Sequence, residues 1–135
     1  MKKTIKVVAA IIENENNEIL CALRSPEMTL PNQWEFPGGK VEQGESLFEA
    51  IEREIKEELN CTVEAVHEFD ENTHEYEKVI VNLIGIKCKL VEGTPVAREH
   101  SKLVYLKKEN LNSLVWAPAD VPIVENLIKK TFVLR

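Results

Sequence analysis

Cysteine, long apolar runs and surplus basic charge are all in short supply in this chain, and each shortage removes a class of protein. The three cysteines, Cys21, Cys61 and Cys88, are odd in number and fall at no spacing typical of a metal site. Each has apolar neighbours, so they read as small reduced core residues, which points to a cytoplasmic protein without disulfides. The apolar run from Val7 to Ile12 is too short to span a bilayer, and no small-residue cleavage site precedes Glu13. It reads as a strand, and no membrane partner is expected. Bases number 17 against 23 acids, a net charge of −6. The basic footprint of a protein that wraps duplex nucleic acid is therefore missing, and no nucleic-acid polymer is expected as a partner. No repeat, low-complexity tract or linker interrupts residues 1–135, which read as one domain working as a monomer or homodimer.

What is present is ordinary for a soluble globular chain: 44% apolar and 30% charged residues over 135 positions, enough for a core. The acidic balance suits a protein that holds cations with carboxylates and brings them to a phosphate. Plain solubilising surface would give the same balance.

Along the chain, Ile5 to Ile12 reads as a buried strand and Asn14 to Asn17 as a polar turn. Glu18 to Leu23 returns as a second strand, giving a hairpin. Ser25 to Gln33, with two prolines, reads as a loop, and Trp34 to Phe36 as a short extended piece before Pro37. Leu47, Ile51, Ile55 and Leu59 recur every four residues, with Phe48 beside them, and predict a helix over Leu47 to Leu59. Ser46 is its expected cap, and Asn60, which tolerates left-handed geometry, its expected end. Thr62 to Phe69, Lys78 to Leu90 and Lys102 to Leu106 read as strands, and a last helix runs from about Val121 to Thr131 behind Asp120. Strands before, between and after two helices indicate an α/β chain with a mixed sheet and helices packed on it.

The chemistry concentrates on the first helix. At 100° per residue Glu54, Glu57 and Glu58 fall within an arc of about 100° on one side of the apolar stripe, whereas Glu49, Glu52 and Arg53 fall on the other. Like charges so placed weaken an isolated helix, and a divalent cation reverses that sign. Hard oxygen donors at this density suit Mg²⁺ or Mn²⁺. A solvated charged face is the plainer alternative. Against it, Glu58 lies close to the buried stripe, a poor place for an unpaired charge. Pro37-Gly38-Gly39 also brings bare backbone near the helix start, where carbonyls can ligate metal and amides can meet phosphate.

The order Gly39, five residues, Glu45, seven residues, then Arg53-Glu54-Ile55-Lys56-Glu57-Glu58 resembles the signature of the Nudix hydrolases. The pattern normally continues to a glycine. Here Asn60 stands in its place, the next-best residue for left-handed geometry. Trp34 to Lys40, the Asn14 to Leu20 segment, and Pro118-Ala119-Asp120 before an apolar helix are similar to the MutT-type members, so the likeness spans nearly the whole chain. It implies an α/β/α sandwich with a mixed central sheet. It also implies a Mg²⁺ enzyme, with Mn²⁺ as a substitute, in which water attacks an internal phosphorus of a (deoxy)nucleoside triphosphate. The products are the monophosphate and pyrophosphate, as in 8-oxo-dGTP sanitation or CTP/dCTP hydrolysis. A nucleotide-sugar or dinucleoside polyphosphate hydrolase and a non-catalytic nucleotide-binding module are the alternatives.

Carried over residue by residue, the resemblance makes Glu54, Glu57, Glu58 and the Gly38 carbonyl metal ligands, with Arg53 orienting the carboxylates and Gly39 opening the motif. Glu45 either supports that shell or only favours the positive helix end. Glu99 completes the cluster or helps deprotonate the water, unless it is a surface glutamate; His100 beside it packs or faces solvent. Arg24 aligns with a phosphate-contacting arginine, unless it is an exposed surface arginine, and Phe36 and Tyr76 are candidates to flank the base, although both residue types are commonly core. Asp120 is a good helix cap, but MutT-type enzymes use Asn or Asp there to bond the base. An ionised Asp only accepts, which suits donor-rich base edges.

Overall fold

A strand that is apolar at every position, not every second one, must be covered on both faces. Val8 to Ile12 is such a run, and all five residues are at most 1% exposed. In the computed structural model, which describes the backbone of residues 1–133 and side chains through Lys129, this run lies in β1 (Lys3–Ile12). Val8, Ala10 and Ile12 point into one core and Ala9 and Ile11 into the other. The period of two thus splits one strand between two hydrophobic layers.

β1 pairs in parallel with β6 (Val79–Glu92) and antiparallel with β4 (Gly38–Lys40), and β5 (Thr62–Glu75) closes the far side against β6. This is a mixed four-stranded sheet in the order β4-β1-β6-β5. A second, antiparallel sheet joins β3 (Trp34–Glu35), β2 (Glu18–Leu23) and β7 (Lys102–Lys107) in the order β3-β2-β7. The expected hairpin of the first two strands exists only at its turn. Glu13 bridges Ile19 and Asn14 bonds Glu18, after which β1 and β2 part into different sheets. The reason is that Leu20 feeds one core while Ile19 and Cys21 feed the other, so β2 builds its own ladder with β7.

α1 (Leu47–Leu59) has the expected bounds and buries Ala50, Ile51, Ile55 and Leu59. Phe48, expected in that stripe, is 37% exposed, whereas Ala50 is buried. Ser46 caps the helix in a capping box with Glu49, and Asn60 ends it at φ 53°. Such a cap contributes about 1 kcal/mol. α2 (Val121–Val133) lies behind two short 3₁₀ turns, Lys108–Ser113 and Pro118–Asp120, and covers the second core with Ile123, Val124 and Leu127. One helix on each layer makes an α/β/α sandwich.

β6 ends at Glu92, close to its expected end, but β5 runs on to Glu75, well past Phe69. Beyond Phe69 the β5 sequence has no apolar alternation to read. Pairing with β6 carries it on through register shifts between Ala65 and His67 and between Glu68 and Asp70. The three cysteines are all buried and unpaired, as expected. No described helix is long and apolar enough to cross a membrane.

Candidate functional site

The backbone of Pro37-Gly38-Gly39 does not meet the start of α1 as expected. It crosses the second half of the helix, with the Gly38 amide donating to Glu58 Oε1 at 3.1 Å. A Cβ on Gly39 would lie 2.4 Å from the Glu54 carboxyl carbon, and one on Gly38 only 1.9 Å from the Val8 carbonyl oxygen. The two glycines are therefore required by close approach. β4 is wedged between β1 and the carboxylates of α1 because it has no side chains there.

Arg53 corrects the helical-wheel picture. It was placed away from the acidic flank, but it stands four residues before Glu57, on the same side of the helix, and all five of its N–H groups are used. Nε and one terminal nitrogen grip Glu45 at 2.5 and 2.9 Å. The other terminal nitrogen serves Glu54 at 3.0 Å and Glu57 at 3.3 Å, and the last donor reaches the Lys40 carbonyl at 3.0 Å. Arg53 is thereby held even more firmly protonated, first by Glu45 and then by Glu54. The bidentate bond to Arg53 lowers the Glu45 carboxyl to about 2. Glu45 thus tethers Arg53, and the first-turn acid of the helix is Glu49.

The three flank carboxylates differ in environment. Glu57 is open, its side chain 60% exposed. Glu54 is raised above its usual value by burial, with Arg53 opposing. Glu58 is raised to about 7: burial dominates, the imidazole of His100 opposes, and the charges of Glu54 and Glu35 add. Among the described residues no three acidic, histidine or cysteine side chains converge as a ready-made metal cage. Arg53 stands among the carboxylates instead. The donor chemistry still fits a hard divalent cation, because every candidate atom is an oxygen and Glu58 is a half-buried carboxyl flanked by the charges of Glu54 and Glu35.

Two cavities share a wall here, and the smaller one touches this flank. The smaller, about 170 Å³, is floored by Gly38, Gly39 and Glu58. The larger, about 510 Å³, runs under Tyr76, Val79 and Ala119. Arg24, Glu35 and Asp120 line both. Of the other expected residues, Tyr76 lines the larger cavity and its hydroxyl accepts from the Ala119 amide at 3.0 Å. Phe36 is only 3% exposed and packs on Trp116 at 4.9 Å, so its ring belongs to the core. Glu99 is exposed, in a loop held by Arg98 donating to the Glu57 carbonyl at 2.9 Å.

Asp120 is the clearest departure from its expected state. It ends a 3₁₀ turn and is 5% exposed, and its carboxyl reaches across the chain to accept from the Phe36 amide at 3.1 Å. Burial, and then the Glu35 carboxylate, hold it well above the usual value, with the Phe36 amide and Arg24 opposing. The environment therefore shifts the group towards the neutral acid, a form that donates as well as accepts. Because the folded state binds this proton more tightly than the unfolded chain, its contribution to stability is present below the unfolded value near 3.8 and lost as pH rises towards the folded one. Asp120→Asn keeps the acceptor for Phe36 without the titration. Its melting temperature relative to the parent should rise as pH goes from 3.5 to 7.5 in thermal scans, on the order of the few degrees that 1 kcal/mol gives. A pH-independent difference would mean that Asp120 is not shifted.

Glu35 and His100 were not anticipated as a pair. His100 is 5% exposed and its Nε2 lies 2.8 Å from Glu35 Oε2, while Arg24 holds Glu35 Oε1 at 2.8 Å. Burial pulls the imidazole down, but the Glu35 carboxylate outweighs it and the net shift is upward. One local signal existed for Glu35: alternation sets it on the face opposite Trp34 and Phe36. Nothing local marked His100, whose partner lies 65 positions away.

Comparison with known proteins agrees with this geometry. The NUDIX domain family model matches residues 3–127. An Escherichia coli 8-oxo-dGTP diphosphatase is 31% identical over 93% of this chain and 97% of its own length. An Escherichia coli CTP pyrophosphohydrolase is 37% identical over 91% of this chain and 90% of its own. The solution structure of a MutT protein of the Nudix hydrolase family, from methicillin-resistant Staphylococcus aureus, superposes with a TM-score of 0.78 at 45% identity, covering 96% of this chain and 99% of that one. Nearly full-length similarity in both sequence and backbone, with the glutamates of α1 and the Gly38-Gly39 crossing in place, leaves one assignment: the chain belongs to the Nudix family and is a Nudix hydrolase.

Proposed function

We propose that the protein hydrolyses a (deoxy)nucleoside triphosphate to the monophosphate and pyrophosphate, with Mg²⁺ as its metal and Mn²⁺ able to replace it. The observation that carries this reading is the pair of cavities meeting at Arg24, Glu35 and Asp120. One end is carboxylate and bare glycine backbone, and the other is apolar with a buried hydrogen-bonding acid. A polyphosphate tail and a base need those two environments, joined at that distance scale. The two Escherichia coli relatives act by name on 8-oxo-dGTP and CTP, so the activity proposed here lies within what similar chains do.

Glu54, Glu57, Glu58 and the Gly38 carbonyl would hold the ion, and Glu99 would complete the set from its loop. When bound, the ion supplies charge neutralisation and a lowered water pKa. Arg53 keeps Glu54 and Glu57 oriented from the side, through bonds that a cation must loosen in order to enter. Arg24 presents its guanidinium at the junction of the cavities to the phosphate or sugar. Tyr76 walls the base cavity, and Asp120 meets the base edge as donor and acceptor, which admits both purines and cytosine.

The test is a set of initial rates with Mg²⁺ for the common nucleoside triphosphates, 8-oxo-dGTP and 5-methyl-dCTP, with products identified, alongside nucleotide-sugars and dinucleoside polyphosphates. Monophosphate plus inorganic pyrophosphate from a triphosphate, abolished by chelation, is the expected result. Turnover confined to sugar-linked or dinucleoside compounds, or none anywhere, would overturn the reading.

A further inference from the structure

The pairing of Glu35 raises a geometric question. A carboxylate beside an arginine normally closes a two-pronged bond on it, both oxygens accepting from the guanidinium. Here Glu35 does not. Only Oε1 takes Arg24, at 2.8 Å, while Oε2 is turned to His100 Nε2, also at 2.8 Å. An ionised carboxylate only accepts, so Nε2 carries the proton whatever the charge on the ring. His100 has no freedom to leave this bond, since its side chain is 1% exposed.

The remaining partners of Arg24 are on the loop below it. Nε donates to the Thr29 carbonyl at 2.6 Å and a terminal nitrogen to Thr29 Oγ1 at 3.0 Å. Three of five N–H groups are thereby used, which leaves one on each terminal nitrogen. Both Arg24 and Glu35 line both cavities. We propose that His100 is a positioning residue for Arg24: by holding Oε2 towards its own ring it fixes the angle of the Glu35 carboxylate so that only Oε1 faces Arg24, and the spare donors of Arg24 stay available to the substrate. The substrate contact rests on the function proposed above, whereas the geometry of the relay does not. The three residues come from the end of β2, from β3 and from the loop before β7, so the relay also ties the loop carrying Glu99 to the cleft.

Two readouts test it, one of which needs no catalysis. His100→Leu keeps the bulk without the donor, and Glu35 is then free to close both oxygens on Arg24. His100→Gln restores an N–H near the position of Nε2. In the free protein the Arg24 side-chain N–H resonances should shift in His100→Leu and return towards the parent in His100→Gln. In kinetics His100→Leu should raise KM about tenfold with kcat within about twofold, the loss of roughly one charge-assisted bond. His100→Gln should recover to within about threefold. On an Arg24→Ala background His100→Leu should add nothing. Unmoved Arg24 resonances, or the same KM penalty on the Arg24→Ala background, would overturn the relay. If the unmodified protein hydrolyses none of the triphosphates, the proposed function falls while the resonance shifts still decide the relay. Should His100→Leu not fold, His100→Asn, which is polar but too short to reach Glu35, takes its place.

Discussion

Glu57→Gln should lower kcat by about 10³-fold, the scale of removing one preorganised charge partner of a reacting phosphate, while leaving the folded state intact. The two halves of that expectation come from the same observation. Glu57 projects from α1 with its side chain 60% exposed, and its only described partner is Arg53 at 3.3 Å. An exposed pair of this kind contributes less than about 1 kcal/mol, and Gln keeps the shape. The fold therefore does not need this charge, and a large kinetic loss would show that the chemistry does. Glu52→Gln is the matched control. It sits on the same helix and undergoes the same change of charge, but its carboxylate accepts from the Ala65 amide at 2.9 Å, away from the cavities. Urea unfolding should give midpoints close to the parent for both, and initial rates should separate them. If Glu57→Gln turns over as fast as Glu52→Gln, the carboxylate flank holds no cation that matters for catalysis.

How far the sequence alone reaches can be argued from the helix that carries this flank. Its bounds, cap and left-handed end were legible, because the four-residue apolar recurrence, Ser46 and Asn60 are local signals read by local physics. The acidic trio was legible for the same reason. Arg53 was misplaced, because it stands four residues before Glu57 and residues at that spacing share a helix face, which sets it beside the flank. The separation of β1 from β2 into two sheets was hidden because a turn signal says that two strands turn back, not that they go on pairing. The surroundings of His100 and Asp120 were hidden for a further reason. Their states depend on burial created by residues tens of positions away, Glu35 and Phe36. Local propensity carries no information about desolvation, which is the largest influence on both groups.

The two glycines that cross α1 should separate stability from activity. Gly38→Ala puts a methyl 1.9 Å from the Val8 carbonyl oxygen and 3.0 Å from the Ala9 Cα. Those atoms cannot give way. β1 is held in parallel register by Ile84 and Gly85 of β6 and in antiparallel register by β4 itself, and Val8 has no exposed surface. Relief requires breaking a ladder, so Gly38→Ala should cost at least about 3 kcal/mol in urea unfolding, at the upper end of overpacking. Gly39→Ala meets a different obstacle, the Glu54 carboxyl at 2.4 Å, which is the far end of a flexible side chain. The chain can absorb that methyl by rotating Glu54 away, losing its 3.0 Å bond to Arg53 and a little packing. Stability should fall by no more than about 1 kcal/mol, because that bond is partly exposed. Activity should fall about 10²-fold, the cost of misplacing a group that must face the phosphates. Equal destabilisation by both variants would show that Gly39 is as tightly framed as Gly38. Full activity in Gly39→Ala would show that the observed place of Glu54 is dispensable, and with it the claim that a bare backbone passes here to leave room for a carboxylate.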